Sequence, residues 1–376
     1  MPNDNLSQTA LATSPSERPP APPPTTTPPG VGAHRDRYLD FLRFLAIVRI
    51  IVYHAFGFVW LTYVFPAMGV MFALGGSLMA NSLAKPNGRP VRKRIRRLLP
   101  ALWAFGAVVV PVMFVQAIRE GDISELPGFE GLLAWVIPVV NPPGTEWAEP
   151  ATIVLWYLVT YLWLVMLSPL VIRVYRRWPL PTVLAPLAAL AVITFSGLTL
   201  DSAVGAVVLS LATYGSCWLI GFAHRDGRLA AVPLPVLIGV AASAMIAGSL
   251  WAVTHPTEIG LDLNDIPLAQ GLYSCGFVLL ALRVRPSLAW LRRVGVLDWL
   301  VTAANARAVT IYLWHNPAIN LSFPVGDWLD VWRFGDRVGD VLCLLIAVVL
   351  VGVATVAVGW IEDMAAGRRP RLIPRR

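Results

Sequence analysis

Apolar residues gather along the chain into runs long enough to cross a bilayer as helices, about 17 to 25 residues each. The ten runs lie near residues 38–60, 66–84, 98–115, 151–172, 180–200, 203–222, 230–251, 268–282, 308–325 and 340–361. Short stretches rich in charged residues, Pro and Gly separate them. The pattern predicts an all-α, polytopic membrane helix bundle of about ten transmembrane helices. A shorter run near 132–140 indicates a re-entrant or interfacial segment.

Basic residues are concentrated in alternate stretches between these runs. They gather at 85–97, 173–177, 224–228, 283–293 and the end of the chain, whereas the opposite stretches hold many of the acidic residues. Cytoplasmic loops carry the excess of Lys and Arg in membrane proteins, so both termini are predicted to be cytoplasmic. Arg far outnumbers Lys, which favours a GC-rich bacterial genome and hence a multi-pass protein of the bacterial plasma membrane.

The composition supports a membrane protein and argues against a soluble domain, a nucleic-acid-binding protein and a disulfide-rich or metal-binding protein. Of the 376 residues, 56% are hydrophobic and 14% are charged, against about 25% charged in a soluble domain. The formal net charge is +8, but the basic residues lie in loops between apolar runs, so nucleic acid is not an expected partner. The three cysteines stand singly in apolar runs and predict neither a disulfide framework nor a metal site.

Three regions are predicted along the chain. Residues 1–36 are rich in Pro, Thr, Ser and Gly, which predicts a disordered cytoplasmic tail, with a proline-binding partner as the alternative. Residues 37–361 form the predicted transmembrane domain, and residues 362–376 a basic cytoplasmic tail. No cleavable signal peptide is recognised, so the first transmembrane helix is expected to be the targeting signal.

The first apolar run contains four ionisable residues, Asp40, Arg43, Arg49 and His54. A charged residue at mid-bilayer costs about 2.5 to 3.5 kcal/mol, so such residues are functional candidates. Arg43 and His54 lie about 20° past three full turns from each other, on one helix face and about 16 Å apart in height. Asp40 can pair with Arg43 one turn later. Arg49 lies on a different face and is harder to explain.

Two interpretations of this face stay open. In the first, an Asp–Arg pair and a carbonyl-bonded histidine only hold neighbouring helices together. In the second, the face lines a channel with a basic cytoplasmic mouth and a titratable imidazole deeper inside. Histidine suits proton transfer because its unperturbed pKa is about 6.5.

Two short patterns resemble the acyltransferase-3 family of membrane-bound acyltransferases. Arg43, ten intervening residues and His54 look like the R-x10-H signature of that family's first helix. Arg94, Arg97 and Pro100 resemble its R-x-x-R-x-x-P pattern at the start of the third helix. Residues between them, at 68–80, are similar to its glycine-rich second helix, although Gly-Gly-Ser stands where Ser-Gly-Phe is usual.

Two later segments extend the resemblance over most of the chain. Residues 155–171, which include Trp156 and Tyr157, are similar to the family's Trp-aromatic-Leu helix, and residues 311–319, which include His315, to its Tyr-Leu-x-x-His helix. We expect a packing or acceptor-site role for His315. Trp156 and Tyr157 are candidates for the acceptor site by the family pattern, with interfacial anchoring as the alternative, because aromatic residues at membrane ends are usually anchors.

The resemblance implies an enzyme that moves an acyl group, commonly acetyl from acetyl-CoA, to a hydroxyl of a surface glycan, a lipid-linked sugar or a metabolite. Acyl-CoA is then a donor substrate rather than a bound cofactor. The stretch 85–97 fits this role because it carries seven positive charges and no acid, and neighbouring arginines can hold phosphates with forked donors. Alternatively, this stretch is only a positive-inside signal or a contact for anionic lipids.

These observations lead to a hypothesis for the site. Arg94 and Arg97, together with Asp40, are predicted to bind the donor. Arg43 and His54 are predicted to be catalytic, since Arg43 places the thioester and His54 takes the proton of the attacking hydroxyl.

A secondary transporter of a small polar or anionic solute is the rival interpretation, because transporters also contain buried charges and broken helices. No internal repeat is evident, and a transporter does not require both arginine patterns. Within the enzyme class, a small secreted metabolite as acceptor, or an acyl group longer than acetyl, stays open.

Overall fold

The computed structural model describes residues 36–86 and 89–373. In these ranges the backbone forms α-helices, 3-10 helices and irregular connections, with no β-strand. The ten long helices are α1 (Arg37–Phe56), α2 (Ala67–Leu83), α3 (Pro90–Glu120), α4 (Leu155–Arg177), α5 (Pro179–Ser196), α6 (Ala203–Arg225), α7 (Leu234–Thr254), α8 (Pro267–Arg283), α9 (Ala308–Trp328) and α10 (Asp336–Val358). The predicted all-α bundle is confirmed. Residues 1–35 of the tail predicted at 1–36, and residues 374–376, lie outside the described residues.

Each apolar run of the sequence corresponds to one long helix. Helices satisfy their own backbone hydrogen bonds, which an apolar solvent demands. Seven helices in the described ranges are long and apolar enough to cross a membrane. Helix α2 counts among them together with the preceding helical turn, as a span over Leu61–Leu83. Helices α1, α8 and α9 are not among them: α1 contains several charged residues and α8 has 17 residues. The number of crossings and the cytoplasmic position of both termini stay predictions.

The centre of the bundle is a close contact between α2 and α6. A Cβ atom on Gly76 would lie 2.0 Å from the carbonyl oxygen of Trp218, and one on Gly221 would lie 2.2 Å from that of Ala73. Glycine is therefore needed at both positions, as is common where membrane helices pack closely. Helices α5, α7 and α10 lie at the periphery and bury few of their residues.

Short helices complete one end of the bundle. Gly295–Ala306 leads into α9 and contacts α1, and Trp360–Ala365 follows α10 and packs against α3. In the connection between α3 and α4, residues Phe129–Val136 form a helix that overlaps the stretch near 132–140, predicted to be re-entrant or interfacial. The first two of these helices help to frame the candidate site.

Candidate active site

A cavity of about 600 Å³ opens between α1, α2, α3, α4 and the start of α9. Its volume lies in the range of small-molecule and cofactor sites. The cationic residues of its wall are Arg43, Lys85, Lys93, Arg94 and Arg97. No acidic side chain belongs to the wall among the residues that the structure describes. Four of the predicted site residues, the arginines Arg43, Arg94 and Arg97 together with Tyr157, are thus brought to one concave surface.

The orientation of Arg43 is fixed by Asn305, which also lines the cavity. Nη1 of Arg43 donates to Oδ1 of Asn305 at 2.9 Å. The amide nitrogen of Asn305 donates to the carbonyls of Asp40 and Val301, at 2.8 Å each. Because this nitrogen is held by two acceptors, the amide oxygen faces the guanidinium. Asn305 is a site residue that the sequence did not reveal.

Two arginines of α3, Arg94 and Arg97, line the cavity. Nη1 of Arg94 donates to the hydroxyl of Tyr161 at 2.5 Å, and this hydroxyl therefore orients the guanidinium. Arg97, one turn later, is exposed and close enough to Arg43 for their like charges to repel. Such a convergence of cations favours an anionic ligand.

Asp40 is not part of the cavity wall in the described structure. Its side chain is buried, and its carboxylate lies 3.6 Å from Nη1 of Arg37, one turn before it. Arg37 also pairs with Asp298. The hydrogen bond of Arg43 goes to Asn305 rather than to Asp40, although the charge of Asp40 acts on Arg43.

The inner end of the cavity is aromatic. Tyr157, Tyr161 and Tyr312 line it, and the ring centroids of Tyr157 and Tyr312 are 4.9 Å apart. The hydroxyl of Tyr312 donates to the carbonyl of Val154 at 2.6 Å, which fixes the ring. Trp156 does not belong to the wall. It stacks inside the bundle on Tyr214, with centroids 5.4 Å apart.

His54 and His315 meet beyond Tyr312, outside the cavity wall. Their ring centroids are 5.2 Å apart, and those of Tyr312 and His315 are 5.5 Å apart. Nδ1 of His315 lies 2.5 Å from the carbonyl oxygen of Tyr312. A carbonyl only accepts, so Nδ1 is the protonated nitrogen of this ring. Nε2 of His315 is then a buried acceptor, and it has no hydrogen-bond partner in the described part of the chain.

A further polar group lies on the other side of His54. The hydroxyl of Tyr53 donates to the buried carboxylate of Asp262, and the guanidinium of Arg49 lies 4.7 Å from the centre of the Tyr53 ring. Arg49 and Asp262 both act electrostatically on His54. Arg49, which helical spacing did not explain, therefore belongs to the surroundings of His54.

The glycine-rich stretch of α2 shapes the cavity without supplying a hydroxyl to it. Gly75 lines the cavity, and a Cβ atom there would lie 2.7 Å from Trp218 and 2.9 Å from Tyr161. The hydroxyl of Ser77 lies 3.0 Å from Nδ1 of His224, on α6. Ser77 therefore faces away from the cavity, and the position of the family's usual serine is held by a glycine.

Comparison with protein families gives one match over most of the chain. The acyltransferase-3 family model, described as an acyltransferase domain, matches residues 36–361. The chain belongs to the acyltransferase-3 family. No curated protein and no solved structure matches it.

Membership of the acyltransferase-3 family identifies the chain as a membrane acyltransferase with several membrane-spanning helices. In this acyltransferase, the structure gathers Arg43, Arg94, Arg97 and Tyr157 around one cavity. The two histidines form a neighbouring pair, whereas Asp40 and Trp156 lie off the cavity wall.

The residues that the sequence analysis missed come from distant parts of the acyltransferase. Asn305 is 262 residues from Arg43, and Tyr161 is 67 residues from Arg94. Spacing within a helix gives no signal for such pairs. Among the described residues, no group of three His, Cys, Asp or Glu side chains is placed to hold a metal ion.

Proposed function

We propose that this protein is an O-acyltransferase that takes an acyl group, in the simplest case acetyl, from acyl-CoA and transfers it to a hydroxyl of a carbohydrate-containing or small-molecule acceptor. The observation that carries the proposal is the convergence of Arg43, Arg94 and Arg97 on one cavity whose described wall contains no acid. Family membership supplies the acyltransferase activity.

Several features of the cavity support coenzyme A as the carrier. Its phosphates are multiply charged, and the guanidinium groups of Arg94 and Arg97 offer forked donors that suit them. Tyr161 holds one of these groups in place, so less side-chain entropy is lost on binding. The cavity also lies at the end of the bundle that carries the basic stretches, the predicted cytoplasmic side, where acyl-CoA is found.

The proposed reaction is a direct transfer. The acceptor oxygen forms a bond to the acyl carbonyl carbon, the carbon–sulfur bond breaks, and coenzyme A leaves as a thiolate. His54 takes the proton of the acceptor hydroxyl and returns it to the thiolate. His315, with its unprotonated Nε2 beside His54, orients the ring or shares the proton. Arg43, which lies on the same face of α1 as His54, holds the donor at the cavity.

The distance between the arginines and the histidines suits an extended donor. Arg43 and His54 differ in height along α1 by about 16 Å. The pantetheine arm of coenzyme A is linear, so its phosphates can stay at the arginines while the thioester extends past Tyr157 and Tyr312. This route requires the Tyr157 ring to move away from Tyr312, which its hydroxyl bond to Val154 holds in place, since the two rings lie 4.9 Å apart at the inner end of the cavity.

The acceptor is proposed to approach from the opposite side of His54. The buried Arg49 and Asp262 and the half-buried Tyr53 provide donors and acceptors there, to which a hydroxylated molecule can bond. A glycan, a lipid-linked sugar or a secreted metabolite each fit this description, and the proposed location is a bacterial plasma membrane. Anionic lipids are the expected partners of the exposed basic loops.

Binding of acetyl-CoA to the detergent-purified protein tests the proposal. We expect the wild type to bind, the double variant Arg94→Ala/Arg97→Ala to lose at least tenfold in affinity, and His54→Ala to bind as the wild type does. Arg92→Ala/Arg96→Ala is the matched control, because it removes two exposed charges from the same helix that are not on the cavity wall.

Two results would count against the proposal. If the folded wild type does not bind acetyl-CoA at millimolar concentration, the donor is a different carrier or the protein transports a solute. If the control variant loses as much affinity as Arg94→Ala/Arg97→Ala, binding reflects the general positive charge of the loop and not the cavity.

A further inference from the structure

The chain beyond α10 forms a short helix, Trp360–Ala365, that packs against α3. Its two acidic residues, Glu362 and Asp363, are buried and lie just beyond the matched family region, which ends at residue 361. Buried carboxylates are costly unless they are paired or hydrogen-bonded. Both have specific partners in the bundle, and these partners lie next to the candidate donor cavity.

Glu362 is bound to the start of α9. Its side chain is 0% exposed, and Oε1 accepts hydrogen bonds from the backbone N–H of Thr310, at 2.8 Å, and from the Thr310 hydroxyl, at 2.6 Å. Thr310 lies in the first turn of the helix, where N–H groups have no partner within the helix. A carboxylate is also favoured there by the helix dipole. Glu362 thus caps α9 from another segment of the chain.

The helix that Glu362 caps supplies part of the cavity wall. Ala308, Val309 and Tyr312, which flank Thr310, line the cavity on the α9 side. Burial raises the pKa of Glu362, whereas the hydrogen bonds from Thr310 and the positive charges of Arg97, on the α3 side, and Arg307 act against this rise and favour the carboxylate. The carboxylate of Glu362 therefore accepts hydrogen bonds from α9, which forms one wall of the cavity. It also attracts Arg97, which belongs to the wall formed by α3.

Asp363 fixes the short helix in this position. Nη2 of the buried Arg307 donates to Oδ2 of Asp363 and to the carbonyl of Arg371, at 2.6 Å each. Burial raises the pKa of Asp363, but the hydrogen bond and charge of Arg307, with the charge of Arg368, hold that pKa below its usual range. A Cβ atom at Gly359 would lie 2.9 Å from Cδ of Arg307, so the joint before the helix needs a glycine.

We propose that Glu362 is a positioning residue of the donor site, which holds the first turn of α9 and Arg97 at the spacing that the phosphates of the donor require. This inference rests on the proposed acyl-CoA donor. It assigns a role in the acyltransferase to a segment beyond the family region.

A charge role and a positioning role of Glu362 predict opposite changes in donor affinity when the charge is removed. An anion near Arg97 repels a phosphate, so if Glu362 acted by charge alone its removal would tighten donor binding. If Glu362 acts by positioning, its removal leaves the buried Thr310 N–H without a partner and loosens the wall. Positioning therefore predicts weaker binding despite the more positive cavity.

The test measures the Kd of acetyl-CoA for the full chain in detergent. We expect Glu362→Ala to raise Kd about five- to tenfold, the scale of a lost helix cap. Glu362→Gln, which keeps an oxygen acceptor for Thr310, should restore part of the affinity. Thr310→Val removes the hydroxyl without changing charge and should raise Kd by less than Glu362→Ala. The double variant should be no weaker than Glu362→Ala, because both changes break one interaction.

Met364→Ala is the control, since Met364 belongs to the same short helix and is exposed. It should leave Kd unchanged. In turnover assays, positioning of the donor predicts a higher acetyl-CoA KM for Glu362→Gln with an almost unchanged kcat, whereas a general loss of folded protein would lower kcat alone.

Three outcomes would overturn the inference. An unchanged Kd in folded Glu362→Ala would remove the positioning role, and a lower Kd in Glu362→Ala would show that Glu362 acts only as a charge that competes with the donor phosphates. If the wild type binds acetyl-CoA, either of these two results contradicts only the role of Glu362 and not the acyl-CoA proposal. Failure of the wild type to bind acetyl-CoA would reject both.

Discussion

Arg43, near the start of the first helix, donates a hydrogen bond to the amide oxygen of Asn305 at 2.9 Å. The two residues are 262 positions apart. The amide nitrogen is held by two backbone carbonyls, so Asn305 ties α1 to the helix before α9. A single neutral side chain thus orients the cation that the R-x10-H signature places at the cavity.

Asn305→Ala is expected to lower kcat/KM for acetyl-CoA about tenfold. The change removes the acceptor of Arg43, and a charge-assisted hydrogen bond contributes about 1.5–3 kcal/mol. Initial rates against donor concentration measure the effect. Asn320→Ala, at an exposed position of α9, is the control. Equal rates for the two variants would show that the orientation of Arg43 is unimportant.

Tyr161→Phe is expected to weaken acetyl-CoA binding by up to about tenfold while the thermal unfolding midpoint stays the same. The substitution keeps the ring in the cavity and removes only the hydroxyl that accepts from Arg94. A charge-assisted bond of this kind is stronger than a neutral one. Titration calorimetry gives Kd. Tyr63→Phe removes a hydroxyl that binds the carbonyl of Leu261, outside the cavity wall, and should bind donor normally.

His54→Ala is expected to reduce acyl transfer by about 10² to 10⁴, the range for loss of a general base, with donor binding retained. His315→Ala should cost less, since this ring acts through His54. Because the two rings are neighbours, the double variant should be no slower than His54→Ala. Strictly additive losses in single-turnover rates would mean that the two histidines act independently.

Gly76→Ala is expected to destabilise the fold. The added methyl would lie 2.0 Å from the carbonyl oxygen of Trp218, and overpacking of this kind costs about 1–3 kcal/mol. The thermal unfolding midpoint in detergent should fall. Gly352→Ala provides a matched control on α10, because a Cβ atom there meets nothing within 4 Å. A stable Gly76→Ala protein would mean that α2 and α6 separate without cost.

Much of the fold could be predicted from the sequence, because a bilayer imposes a local rule. An apolar run must satisfy its backbone hydrogen bonds internally, and so each run became a helix. The helix around Glu362 is a different case. It lies in a stretch whose basic composition predicted a tail, yet its two acids are buried in the structure. The partners of these acids, Arg307 and Thr310, lie more than fifty residues earlier.

The sequence by itself determined the helices, the family resemblance and the basic stretch that includes Arg94 and Arg97. These follow from local composition and from spacing along a helix, which one segment fully encodes. Only the tertiary structure decided that Asn305 holds Arg43 and that His315 lies beside His54. Such contacts depend on how separate helices pack, and packing depends on the shapes of all neighbours at once.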